Sequence, residues 1–117
     1  MTFSQFDVVR VPFPFTDRAV SKNRPALILS IAASFGIAAG HSVMTMITSG
    51  KHRPWPLDHP IADLKAAGLP AISIVRFKLF TLDHRLVRGI LGQLAERDAA
   101  AVMQQMRTLF DLSTPIA

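Results

Sequence analysis

The chain has 117 residues, with 13 Lys and Arg against 8 Asp and Glu, a net charge of +5, and half of its residues hydrophobic. That length suits one domain over residues 1–117, built around one core. The absence of cysteine excludes a disulfide framework and a Cys-based metal site, and no segment reaches the roughly 18 apolar residues of a membrane span.

The N-terminus "MTFSQFDVVRV" lacks the basic-then-apolar layout of a signal peptide, so a soluble, cytoplasmic protein is expected. "FDVVRVPFPF" (6–15) reads as a strand, with Val9, Val11 and Phe13 on one face and Val8 and Arg10 on the other; Pro12 confines it to an edge or a strand end. "TDRAVSKN" (16–23) is a polar connection, and "RPALILS" (24–30) is a second strand. The Ala- and Gly-rich stretch 31–42 has no period and is expected to be a loop. "VMTMITS" (43–49) alternates as a third strand. Three prolines make "GKHRPWPLDHP" (50–60) irregular. "IADLKAAGL" (61–69) fits either one or two helical turns ending at Gly68 or a bent edge strand. "AISIVRFKLFTLD" (71–83) is β-rich with a break expected near Lys78, and "RLVRGILGQL" (85–94) is a last strand in which Gly89 and Gly92 allow curvature or close approach. In 96–112, Ala99, Val102, Met103, Met106, Leu109 and Phe110 recur at three and four, one apolar stripe of an amphipathic helix. Five short strands and a terminal helix predict a mainly β (α+β) fold, a small closed or half-closed barrel.

Phosphate loops, HExxH and Gly-x-Ser-x-Gly are all absent, and the four histidines have no ligand spacing on one element, so no metal and no cofactor are expected. Polar types gather instead at strand ends. Lys22 and Arg24 precede the second strand, Thr48 and Ser49 end the third, and Lys51, His52, Arg53 and Trp55 follow at once; Arg76 lies inside "SIVRFK". Guanidinium groups grip phosphate at two points, a neighbouring hydroxyl completes the cage, and exposed aromatics stack on unpaired bases. The same residues also have ordinary readings. Arg24 would pair with an acid such as Asp17, Thr48-Ser49 would be a turn, and Trp55 would cover core or interface. The basic balance favours an anionic partner, whether nucleic acid, an acidic peptide or a membrane surface. The large apolar fraction points to a subunit interface.

Taken in order, "VPFPFTD", "KNRPALILS", "MITS", "AGL", "SIVRFKLFTLD" and "LGQLAERD" resemble the PemK/MazF-like toxins of type II toxin–antitoxin systems, over about residues 6–112. The resemblance implies an SH3-like β-barrel of the CcdB/PemK kind with a C-terminal α-helix, a homodimer, metal-independent cleavage of single-stranded RNA, and a cognate antitoxin that covers the site. It places the family's catalytic Arg on Arg24 and its Thr on Thr48. Lys22, Ser49, Lys51, His52, Arg53 and Arg76 are then the RNA-binding set. The family's usual Gly before the first strand is Phe6 here. The carboxylate that some members carry beside the fifth-strand Arg has no match, because Phe77 and Lys78 stand there, so the general base is unassigned. Two other functions fit such a barrel: a non-catalytic module that binds nucleic acid or protein, and a gyrase-directed toxin like CcdB.

Overall fold

The computed structural model describes residues 2–13, 22–51 and 53–112. Six strands form one antiparallel sheet: β1 (Asp7–Phe13), β2 (Lys22–Ile28), β3 (His41–Ser49), β4 (His59–Pro60), β5 (Ser73–Asp83) and β6 (Gly89–Gln93), in the order β4-β5-β3-β2-β1-β6. The sheet curls into a half-barrel, with β4 and β6 at its ends. The sixth strand is β4, two residues inside the proline-rich stretch expected to be irregular. It pairs His59 with Val75 and Pro60 with Ile74.

Period-2 alternation in β1, β2 and β3 divides the core into two layers, one on each face of the sheet. Val8, Leu27, Ile47 and Val75 point to the face covered by the helices, with Leu69, Leu94 and Val102. Val9, Val11, Ala26, Ile28 and Met44 point to the other, with Phe3 and Leu82. Pro12 sits where β1 needs only one neighbour: β6 pairs with Asp7 to Arg10, and Pro12 faces Asn23 of β2. The missing N–H of proline therefore breaks no inner ladder.

Two helical pieces are short. The stretch expected to be a loop contains a π-helical turn, Ala32–Gly36, running into α1 (Ile37–Ala39) and ending on Gly40 at φ 65°. Of the two readings for 61–69, the helix is the one found: α2 (Leu64–Ala67) is capped by the Asp63 carboxylate on the Ala66 N–H and stopped by Gly68 at φ 71°. The last predicted strand starts later than expected, because His84–Leu86 forms a 3₁₀ turn. In α3 (Glu96–Phe110), Val102 is buried and Ala99 and Met106 pack on the helix-side core, whereas Leu109 and Phe110 run past it and stay exposed.

Asp98, in the first turn of α3, ties the helix to the segment after β4. It is buried and accepts from the Ala62 N–H (2.9 Å), the Asp63 N–H (3.0 Å) and His59 Nε2 (2.8 Å). Burial pushes its carboxyl up, but those three donors outweigh it and hold it below the usual carboxylate value.

Candidate active site

Arg24 stands directly before Pro25, and the proline ring forces the residue ahead of it into extended backbone. In β2, Arg24 pairs with Val11 of β1 and therefore shares the face of Val11 and Ala26, opposite the helices. Pairing between β2 and β3 runs from Ile28–Met44 to Ala26–Met46 and goes no further. The same register carried two residues outward sets Arg24 level with Thr48. Where the two strands cease to pair, a hollow of about 400 Å³ opens, lined by Phe13, Arg24, Met46, Thr48, Arg53, Trp55, Arg76 and Lys78.

The far wall depends on an irregularity in β5. Thr45 faces Leu79, but its neighbour Met46 faces Arg76, so Phe77 and Lys78 are two extra residues on β5. The break expected near Lys78 is this bulge within one continuous strand. It lets the buried Thr45 hydroxyl donate to the Arg76 carbonyl and turns Lys78 toward the hollow.

Arg76 is nearly buried and paired. Its Nε donates to Asp58 Oδ1 (3.1 Å) and its Nη2 to Asp58 Oδ2 (2.9 Å) and to the Arg53 carbonyl (3.1 Å). This two-point hydrogen bond holds the Asp58 carboxyl below its usual value and raises the guanidinium. Asp58 Oδ2 also accepts from the Trp55 N–H (2.9 Å), closing a tight turn in which Leu57 is left-handed at φ 63°. The Trp55 ring, partly exposed, has the Arg76 guanidinium 5.6 Å and the Lys78 ammonium 4.8 Å from its centroid. Asp58 thus fixes an aromatic platform flanked by two cations.

Arg24 contrasts with Arg76. The residue is exposed, and its guanidinium lies 5.7 Å from the Phe13 ring centroid. An exposed guanidinium beside a ring suits an incoming anion.

Of the residues read from the sequence, Arg24, Thr48, Arg53 and Arg76 line one hollow. Lys22, Ser49 and Lys51 are exposed and lie outside its lining. His52 lies outside the described residues, as do Asp17 and its suggested pairing with Arg24. Sequence reasoning missed Asp58, Lys78, Phe13 and Met46. One signal for Asp58 was available: an Arg inside an apolar strand needs a carboxylate partner. No Asp, Glu or His lines the hollow among the described residues, and no three His, Asp or Glu side chains gather there or elsewhere among them.

The family model for PemK-like, MazF-like toxins of type II toxin–antitoxin systems matches residues 4–110. The chain belongs to this family. No curated protein sequence matches this PemK/MazF-family chain. Solved structures do, at low identity. A MazF chain from a MazE–MazF crystal structure of Deinococcus radiodurans is 22% identical, with 97% of this chain and 100% of that chain covered at TM-score 0.74. An endoribonuclease in complex with its cognate antitoxin, from a mycobacterial species, is 17% identical, with coverages of 97% and 98% at TM-score 0.73. The toxin MazF-mt6 of Mycobacterium tuberculosis is 19% identical, with coverages of 92% and 99% at TM-score 0.71. At these identities the likeness shows the fold that this PemK/MazF-family chain shares with them.

Proposed function

We propose that this toxin is an endoribonuclease that cuts single-stranded RNA without a metal ion and is inhibited by a cognate antitoxin. Family membership supports the toxin role, and the fold it shares with an endoribonuclease bound to its antitoxin supports the activity. The observation that carries the reading is the placing of Arg24 and Thr48 on the adjacent ends of β2 and β3, on the rim of one hollow.

RNA brings its own nucleophile. The 2′-oxygen attacks the neighbouring phosphorus, a new P–O2′ bond forms, and the P–O5′ bond breaks. The 2′-hydroxyl proton ends on the departing 5′-oxygen, leaving a 2′,3′-cyclic phosphate and a 5′-hydroxyl. Negative charge grows on the equatorial oxygens as the bond forms. The Arg24 guanidinium and the Thr48 hydroxyl stabilise it there as preorganised donors. Asp58 is a poor proton acceptor, since Arg76 holds it ionised; its part is to position Arg76 and Trp55. Trp55 offers a stacking surface to an unpaired base.

A homodimer fits the exposed apolar end of α3, and an acidic antitoxin segment fits the basic rim around the hollow, with an affinity that falls as salt rises. The decisive experiment is incubation of purified protein with single-stranded RNA in EDTA. Cleavage with 2′,3′-cyclic phosphate ends, and none of single-stranded DNA, is expected. Cleavage only on adding a divalent cation would overturn the metal-free mechanism, and RNA left intact under all conditions would overturn the nuclease reading.

A further inference from the structure

Arg24 borders a second concavity, on the helix side of β2. This groove, of about 700 Å³, is lined by Arg10 and Lys65 and by Pro25, Leu69 and Leu91, and is bordered by Arg24, whose side chain lies on the other face of the sheet. Its two cations come from different elements. Arg10 pairs with Pro25 across β1 and β2, and Lys65 rides on α2. Gly89, at φ 146°, opposes Arg10 on β6, with the Arg10 guanidinium beside it. The described lining contains no acidic side chain. Like charges drawn together without a counter-charge repel one another, and an anion relieves that repulsion.

We infer that this groove is a second phosphate-binding site, holding the nucleotides of an RNA strand that adjoin the scissile phosphate. The inference rests on the ribonuclease reading above. Its decisive feature is continuity. Arg24 borders both concavities, so a strand with one phosphate at Arg24 meets Arg10 and Lys65 when it passes around the end of β2. The aliphatic floor excludes water from beneath the backbone but offers no aromatic ring for stacking. The groove therefore grips phosphates and reads no base, whereas the Trp55 side of Arg24 holds the stacking surface.

The test uses the full chain and two 2′-O-methyl oligoribonucleotides, which lack the nucleophile and stay intact: one of about four nucleotides and one of about ten, spanning the site sizes usual for single-strand binders. The wild type is expected to bind the longer one more tightly. The double variant Arg10→Gln, Lys65→Gln is expected to erase that advantage, with a loss on the order of tenfold and a salt dependence shallower by about 0.7 in log–log slope for each phosphate contact removed. Arg10→Lys with Lys65→Arg keeps the charges and should keep the advantage, which separates lost charge from lost folding. A double variant that still prefers the longer strand overturns the inference. A double variant that binds both RNAs normally but loses polyglutamate overturns it too, assigning the groove to an acidic peptide. RNA cleavage by the wild type is scored separately: intact RNA together with a lost length preference would sink the nuclease reading and leave the groove standing.

Discussion

Two arginines separate the roles that one residue type can play. Arg76 is shielded from solvent, bonded at both ends of its guanidinium and stacked near an indole, whereas Arg24 presents a guanidinium to solvent from a backbone that Pro25 holds extended. Substituting them should therefore fail in different ways. Arg24→Ala should cost on the order of a hundredfold or more in RNA cleavage while changing stability by less than about 0.5 kcal/mol, as exposed substitutions usually do. Arg24→Lys should rescue poorly, because an ammonium keeps the charge and loses the two-point grip. Cleavage assays and thermal melts run in parallel check both; wild-type cleavage by Arg24→Ala would place the chemistry elsewhere. Asp58→Asn should do the reverse of Arg24→Ala and lower the melting temperature. The amide cannot neutralise the buried Arg76 and cannot accept at both oxygens, so the Arg76 and Trp55 contacts loosen together. Quenching or wavelength shift of Trp55, the single tryptophan, reports that loosening directly.

Among the elements, the tightest fit is between α2 and β6. A Cβ on Gly92 would lie 2.4 Å from the Ala66 carbonyl oxygen, and one on Gly68 would lie 2.0 Å from the Leu91 carbonyl oxygen. Both obstacles are backbone, so neither element can yield by turning a side chain. Gly92→Ala should destabilise by about 1–3 kcal/mol or more, measured by denaturant melts. An unchanged midpoint would mean that α2 moves freely. The curvature and close approach read from Gly89 and Gly92 were legible because a glycine in a strand announces one or the other. Also legible were β1, β3 and α3, each carrying a clean period, and β2, a short apolar run behind Arg24-Pro25; Arg24 and Thr48 were singled out as catalytic through the family resemblance, not through any strand pairing. The bulge at Phe77 and Lys78 was visible only as a suspected break, because an alternating run does not show how many residues its partner leaves unpaired. Asp58 sat in a proline-rich stretch with no period, 18 residues from Arg76, and only the fold brings the two together. Residues 32–39 hold four alanines, the best helix formers, and one glycine; the helical turns there were missed because the run carries no apolar period, not because its residues resist the helix.

At the scale of the whole molecule, the described residues leave the end of α3 and the residues just after it exposed: Leu109, Phe110 and Leu112 are 40%, 49% and 64% exposed. A second copy is the expected cover. Sedimentation at micromolar concentration should show a dimer, and Phe110→Asp should yield a monomer with an unchanged fold. A wild-type monomer would leave the apolar end of α3 unexplained.

The fold as a whole should also lose stability in acid in two stages. His84 lies partly buried against Phe3, with its Nε2 2.7 Å from the Ser42 hydroxyl. Burial, followed by the nearby His41, lowers its pKa from the usual 6.5. The unfolded chain thus takes up this proton more readily than the folded one. The contribution of His84 to stability is complete above about pH 6.5 and declines as pH falls from there toward its depressed folded value. Asp58 and Asp98 are likewise held below their usual 3.8. For them too the protonated form is disfavoured in the fold, so their contribution declines only as pH falls through about 4 and below. Melting temperature measured from pH 8 down should hold level, sag gently below about pH 6.5, then drop steeply near pH 4. His84→Gln, which keeps a polar partner for Ser42 but does not titrate, should remove the gentle sag and leave the steep drop in place. If the variant sags as the wild type does, another group is responsible and the partly buried His84 is protonated without cost.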